Sequence, residues 1–410
     1  MWAGGIRKQG SSGTTGIRVT EESLEAAGDY PRILGQIGSH EYTLLGSYRT
    51  FLNSSLGSGS STETIRSNSL LRGAWFDDQA EPSADRVQFS LQGLTEWIVD
   101  NGITESWTFR DPQMSRLEEY EVHARLLPNR RVTLGGGRSL YLFHRTGLEG
   151  DRINERGVSQ KFRLELREPK KSGLHHLLQQ VGMVQHLVSL GTGRSAGLLD
   201  VDVHHPAVTY GPPSNPKAFR EPIEYIAEWS ARDRSDKPIS QSDMHFTLRD
   251  LGGFQIFKRW IPLASTNQDQ LNQVMSTRYR NALVTDKLLN RVAAFEEWHK
   301  IATGDRKRST TLAIRLETSA QALGAAFTDL VGGEAHDWAH LVKRERHNVA
   351  HGLGQSGFEG AHTLFLADSV YYLFVFALLQ QLQAPAAVFD RMLCQGEYRL
   401  LQRRMSSLVP

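Results

Sequence analysis

Apolar and polar residues alternate with a period of two along several short stretches in the first two-thirds of this 410-residue chain. Residues 87–91 (Val-Gln-Phe-Ser-Leu), 120–126 and 162–166 (Phe-Arg-Leu-Glu-Leu) read as half-buried strands. Residues 40–51, 70–76, 141–144, 201–205 and 223–231 are further strand candidates. Turn clusters separate them at 57–61, 128–129, 135–137 and 211–216. Many short strands with polar turns predict one or two β-sandwich-like units. One helix interrupts them, because Leu174, Leu177, Leu178, Val181, Val184, Leu187 and Val188 recur at helical spacing up to Gly191. After Trp260-Ile261-Pro262 the period becomes helical, over 271–279, 282–301, 311–330, 335–351, 364–382 and 388–404. Five or six helices suffice for a bundle. The predicted fold class is therefore α+β. A β-rich sandwich-like region at 21–265 precedes an all-α bundle at 266–410, and the Gly/Ser-rich residues 1–20 form a flexible N-terminus.

Composition narrows this only in places. The length suits two or three domains of about 150 residues each. With 47 Lys+Arg against 45 Asp+Glu the net charge is +2, which excludes a whole-protein grip on nucleic acid and leaves room for a local basic cleft. The one cysteine, Cys394, excludes an internal disulfide framework and any Cys-rich metal site, so a reducing, cytoplasmic compartment is expected. The N-terminus lacks the apolar stretch of a signal peptide. Residues 363–379 are membrane-like but short for a span, and Asp368 interrupts them; a buried bundle helix is expected, with no membrane partner.

Fifteen histidines invite a metal reading. The adjacent pairs His175-His176 and His204-His205 point in different directions and make poor paired ligands. His336, His340, His347 and His351 are different: on one helix at 100° per residue they share a narrow face. Two His-x-x-x-His pairs on one face are a zinc pattern in principle. The pairs are about 16 Å apart along the helix, however, and cannot share an ion. In HDWAH, Asp337 occupies the place where a zinc hydrolase needs its Glu base. A helix with a partly buried histidine stripe is the better reading, and no metal or other cofactor is expected.

The same stretch carries Arg346-His347-Asn348-Val349-Ala350-His351, flanked by Lys343 and Arg344 and followed by Gly352, a good helix stop. Arginine and histidine together are a minimal set for cutting RNA without metal. Histidine titrates near neutral pH and exchanges a proton with the ribose 2′-OH or the leaving oxygen. Arginine presents a planar fork to a phosphate as its charge grows. On a regular helix Arg346 and His351 lie about 140° apart, whereas Arg344 and His351 nearly align. Spacing leaves both arginines open as the phosphate ligand.

With these residues in view, the chain resembles the HEPN ribonucleases, and among them the ApeA-like abortive-infection proteins. Arg346 to His351 matches the HEPN signature of Arg, then Asn, His or Asp, then three residues and His, with His347 at the second position. Glu296, three residues before His299, fits the acidic position of the family's preceding helix. Gly93-Leu94-Thr95-Glu96-Trp97 is similar to the Gly-Leu-x-x-Trp segment of the ApeA N-terminal β-domain. The helix at 176–193 with the strand at 198–203, and the Trp260-Ile-Pro-Leu263 join, are also similar. The resemblance implies a metal-independent endoribonuclease that leaves a 2′,3′-cyclic phosphate. It implies Arg346 as the phosphate ligand, because the polar residue after it fits the motif, with Lys343 and Arg344 as RNA-binding neighbours. His351, His347 and Glu296 complete the implied catalytic set, Glu296 orienting Arg346 or a histidine. It further implies RNA as partner, with tRNA a candidate target, a phage-derived trigger, and a homodimer or higher homo-oligomer through the helical part. The all-round apolar helix at 364–382 is expected to serve both the bundle and that contact. The rival from another class is a catalytically silent HEPN-type dimerisation and RNA-binding module beneath a β-domain ligand sensor. A zinc hydrolase built on HDWAH ranks third.

Overall fold

The computed structural model describes residues 5–7, 29–54, 61–77, 80–110, 117–151, 157–210, 219–227, 239–279, 282–307, 309–351 and 360–409. The strands are β1 (Gly5–Arg7), β2 (Asp29–Ile37), β3 (His40–Ser54), β4 (Ser61–Arg72), β5 (Ser83–Leu91), β6 (Ile103–Phe109), β7 (Leu117–Ala124), β8 (Arg130–Gly135), β9 (Arg138–Glu149), β10 (Gly157–Gly173), β11 (Leu198–His204), β12 (Thr209–Tyr210), β13 (Phe219–Arg220) and β14 (Ile223–Ala227). The helices are α1 (Leu94–Ile98), α2 (Leu174–Thr192), α3 (Phe257–Thr266), α4 (Gln268–Tyr279), α5 (Val284–Thr303), α6 (Leu312–Leu323), α7 (Ala325–Thr328), α8 (Ala335–Ala350), α9 (Gly360–Gln381), α10 (Ala386–Leu393) and α11 (Gly396–Met405). A β-rich N-terminal region thus precedes a helical C-terminal region, as the change of period predicts.

Among the described residues the β-region is one antiparallel sheet of ten strands, beside the two-stranded pairs β6-β7 and β12-β13, and not a pair of stacked large sheets. Its order is β2-β3-β4-β14-β11-β5-β10-β9-β8, with β1 on β4. Even Gly5–Arg7, inside the expected flexible N-terminus, is a strand. The sheet needs no second sheet because α2 packs on β5 and β10. Val87, Phe89, Leu140, Leu142, Leu164, Leu166, Val201 and Val203 are all buried. The alternate positions, from Gln88 to Asp202, carry the polar face.

The alternation at 120–126 misleads in a second way. β7 pairs only with β6, as an isolated two-stranded ribbon, and every residue of β7 is exposed. Its apolar positions meet their cross-strand partners instead of a core, with Trp107 stacked on Tyr120 at 5.8 Å.

The Gly-Leu-x-x-Trp segment acts as a joint. Gly93 adopts φ 77°, which turns β5 into α1 and seats Leu94 and Trp97 in the core. Trp97 meets Phe257 of α3 edge-on at 6.3 Å and accepts a hydrogen bond at its carbonyl from Leu248. Gly191 of α2 lies so close that an added Cβ would fall 2.1 Å from the Trp97 indole nitrogen and 2.9 Å from the Phe246 carbonyl oxygen. Gly191→Ala is therefore expected to destabilise the fold by about 1–3 kcal/mol, measured as a lower denaturant midpoint. An unchanged midpoint would show that the indole moves aside freely.

The helical region starts at Phe257, so α3 runs across the expected boundary near 265 and carries Pro262 within it. Two helices expected to be continuous are broken. Gly324, at φ 61° and ψ −148°, separates α6 from α7 in a conformation that essentially only glycine adopts. Gln395, extended at φ −67° and ψ 142°, separates α10 from α11. α9 is long and apolar enough to cross a membrane, yet it is the central helix of the bundle. Tyr371, Tyr372, Phe374 and Phe376 are all buried within the single chain. Most of its apolar surface is thus used within the bundle, while Leu364 and Phe365 near its start stay half-buried. Asp368, the charge inside it, pairs with Arg291 of α5.

One continuous core joins the two regions. Trp260 donates from Nε1 to the Met183 carbonyl at 2.7 Å, Arg278 donates to the Gly193 carbonyl at 3.1 Å, and Arg391 pairs with Asp250 at 2.8 Å. His186 meets Asn272 at 2.9 Å, and burial lowers its pKa. His245 lies 3.1 Å from the Leu190 carbonyl; burial, then the Arg278 cation, push its pKa down to about 3. Both histidines are neutral in the folded protein, whereas the unfolded chain takes up protons near the ordinary value of about 6.5. Stability is therefore complete above about pH 6.5 and falls as the pH drops towards 3. From His245 alone the loss is up to about 1.4 kcal/mol per pH unit. Chemical denaturation at pH 7, 6 and 5 checks this, and His245→Gln is expected to flatten the slope.

Candidate functional site

α8 is built as an amphipathic helix, and that pattern decides what it displays. Ala335, Trp338, Ala339, Leu341, Val342 and Glu345 are buried against the bundle. Trp338 donates from Nε1 to the Ser369 hydroxyl of α9 at 2.9 Å and meets Phe327 edge-on at 5.0 Å. These contacts fix the rotation of the helix. The opposite side carries His336, His340, Lys343, Arg344, His347 and His351, all exposed, so the histidine stripe is solvent-facing and not partly buried.

The stripe divides into two pairs. His336 and His340 have ring centroids 4.5 Å apart, and His336 also lies 3.1 Å from a Glu317 oxygen. His347 and His351 have ring centroids 4.4 Å apart. Among the described residues no group of three or more His, Cys, Asp or Glu is arranged to hold a metal ion. His175 and His176 are exposed on α2, and His204 and His205 lie apart at the end of β11.

The helix is regular through Ala350, and the His351 N–H still bonds to the His347 carbonyl at 3.1 Å. The angular arithmetic therefore applies. Arg344, His347 and His351 lie on one side, Arg344 within about 20° of His351. Arg346 lies about 140° from His351 and is half-buried. Gly352, the expected helix stop, lies outside the described residues.

Glu296 sits elsewhere than expected. Its carboxylate faces Arg315 of α6 at 3.5 Å and Lys300 at 3.4 Å, and no contact with Arg346 or a histidine of α8 accompanies these. The reason is local: Arg315 is buried and needs an anion, and it also donates to the Asp305 and Lys307 carbonyls at 3.4 and 3.3 Å. Glu296 thus ties α5, α6 and the loop after α5 together, and that loop presents Arg306 and Lys307 to solvent. The neighbouring His299 is held neutral, its pKa lowered first by burial and then by Arg315.

One residue goes unnoticed in the sequence. Glu345 is fully buried, and one carboxylate oxygen accepts from the Thr363 hydroxyl at 2.6 Å. Its other oxygen has no hydrogen-bond partner among the described residues. This buried link anchors the C-terminal third of α8 to the start of α9, directly beneath Arg344 and Arg346. The signal was a glutamate on the apolar phase of the helix. The arrangement offers two imidazoles able to move protons beside cations able to hold phosphate, on a rigid and accessible helix end.

In comparisons with known proteins, a family model, ApeA N-terminal domain 1, matches residues 8–260. No curated protein and no solved structure matches. The match covers the sheet apart from β1, with α1 and α2, and stops within α3, short of α8.

Proposed function

The chain belongs to the ApeA family, which is one of abortive infection and antiphage defence, and from that premise we propose that its helical region is a metal-independent HEPN-type endoribonuclease. The observation that supports the reading best is the close His347–His351 pair on the exposed side of α8, with Arg344 aligned and Lys343 and Arg346 beside it. His351 moves the proton between the 2′-OH and the leaving oxygen, and His347 is its partner. Arg346, with Arg344 and Lys343, holds the phosphate. The 2′-oxygen attacks the adjacent phosphorus, the 5′-oxygen leaves with a proton, and a 2′,3′-cyclic phosphate and a 5′-OH result. Two copies of the helical region are proposed to face each other, since one Arg–His set is sparse for phosphodiester cleavage. The β-region senses a phage-derived trigger or restrains the nuclease, and tRNA is the proposed target class.

Glu296, engaged by Arg315 and Lys300, favours a second reading: a catalytically silent HEPN-type RNA-binding and dimerisation module. Incubating the full chain with end-labelled RNA in EDTA separates the two. Cleavage with cyclic-phosphate ends is expected. Retention of intact RNA on the protein would support the silent module, and cleavage only after metal is restored would defeat the metal-independent mechanism.

A further inference from the structure

The polar face of the large sheet holds a cleft of about 730 Å³ across β9, β10, β5, β11, β14 and β4, far from α8 in the chain. This size lies within the usual range for small-molecule sites. At one end Arg145 of β9 stands directly opposite Lys161 of β10. Both are exposed, and neither has an ion-pair partner among the described residues. Like charges directly opposite on one sheet face repel each other. The other cations of the cleft differ, since Arg163 pairs with Asp202 at 2.6 Å and Arg72 pairs with Glu224. The cation pair at the head of the cleft is thus the part left for a bound anion.

The floor and the far wall have another chemistry. The register of β11 against β5 shifts between Leu198 and Asp200. This bulge turns Leu199 outwards, where it is 45% exposed and lines the cleft. Ile226 of β14, 44% exposed, lines it too. Asp200 projects beside them and accepts from the Ser90 hydroxyl at 2.7 Å, which leaves its carboxylate room for further donors.

We propose that this cleft binds a nucleotide, with its phosphates between Arg145 and Lys161, its sugar hydroxyls on Asp200 and its base against Leu199 and Ile226. Two adjacent cations suit a polyanion, a carboxylate accepts hydroxyls and rejects a second phosphate, and two exposed aliphatic side chains offer a surface to a planar base. The inference stands apart from the nuclease reading, because binding is measured without any RNA cleavage. It identifies a small molecule, and not a protein, as the ligand of the β-region.

The test is thermal unfolding of the full chain at low ionic strength, with ATP, GTP, pyrophosphate, adenosine or an RNA dodecamer as probe. ATP or GTP is expected to raise Tm with a concentration dependence that follows mass action, more than pyrophosphate or adenosine does. In the double variant Arg145→Ala/Lys161→Ala the apparent affinity for ATP is expected to fall at least about tenfold. Asp200→Asn is expected to remove the advantage of ATP over pyrophosphate. Arg249→Ala, an exposed cation outside the cleft, serves as the control and is expected to keep the shift. No shift with millimolar ATP or GTP, an equal shift in the double variant, or a shift with the RNA alone would overturn the proposal.

Discussion

His351→Ala is expected to slow RNA cleavage by roughly two to four orders of magnitude while leaving the fold intact. The loss would follow from removing the imidazole proposed to exchange a proton with the reacting oxygens. The fold is spared because His351 caps the exposed end of α8, where its side chain stacks near the His347 ring and packs in no core among the described residues. Substitutions at such exposed positions usually change stability by no more than about 0.5 kcal/mol. The measurement is the rate at which cyclic-phosphate ends appear, beside circular dichroism and tRNA integrity in cells expressing each protein. A folded His351→Ala protein that cuts at the parental rate, or is as toxic as the parent, would sink the nuclease reading.

Arg346→Ala is expected to lower kcat/KM by about a hundredfold, equivalent to about 3 kcal/mol, by analogy with the loss of one donor to a developing oxyanion. Arg344→Ala is expected to weaken RNA binding more than it slows the chemical step, appearing mainly in KM. The regular helix makes this pair of substitutions decisive. Arg344 shares the side of His347 and His351, whereas Arg346 lies on the adjoining side, where the proposed second copy of α8 would have to complete the cleft. The reverse result, a dead Arg344→Ala and a near-normal Arg346→Ala, would make Arg344 the phosphate ligand.

Glu345 adds a control on the same helix. Because its carboxylate is buried on Thr363, Glu345→Ala is expected to lower stability as well as activity, unlike either arginine substitution. The two effects separate in a denaturant titration run beside the cleavage assay.

Periodicity by itself determined the order of elements, because a strand or a helix must place apolar residues at its own repeat to be covered on one side. α2, α5, α8 and α9, and the strands around Val87–Leu91 and Phe162–Leu166, were legible for that reason. That His336, His340, His347 and His351 share one face of α8 was legible too, in their spacing, whereas the exposure of that face was not, since the stripe reads as partly buried in the sequence. What covers each apolar face is a different matter, and only the tertiary structure decided it. The β-region became one sheet because α2 and the helical region take the place of a second sheet. The 120–126 alternation produced an exposed ribbon because its partner strand pairs with no other strand among the described residues. α9 looked apolar all round, and its own bundle covers most of it, with Leu364 and Phe365 left half-buried. Charge partners followed the same rule. Glu296 was drawn to Arg315, a buried cation more than a helix away in sequence, and no local spacing reports such a demand. Alternation and helical spacing act over a few residues and so are written in the chain. Coverage and charge compensation act through space, between residues the chain brings together only when it folds.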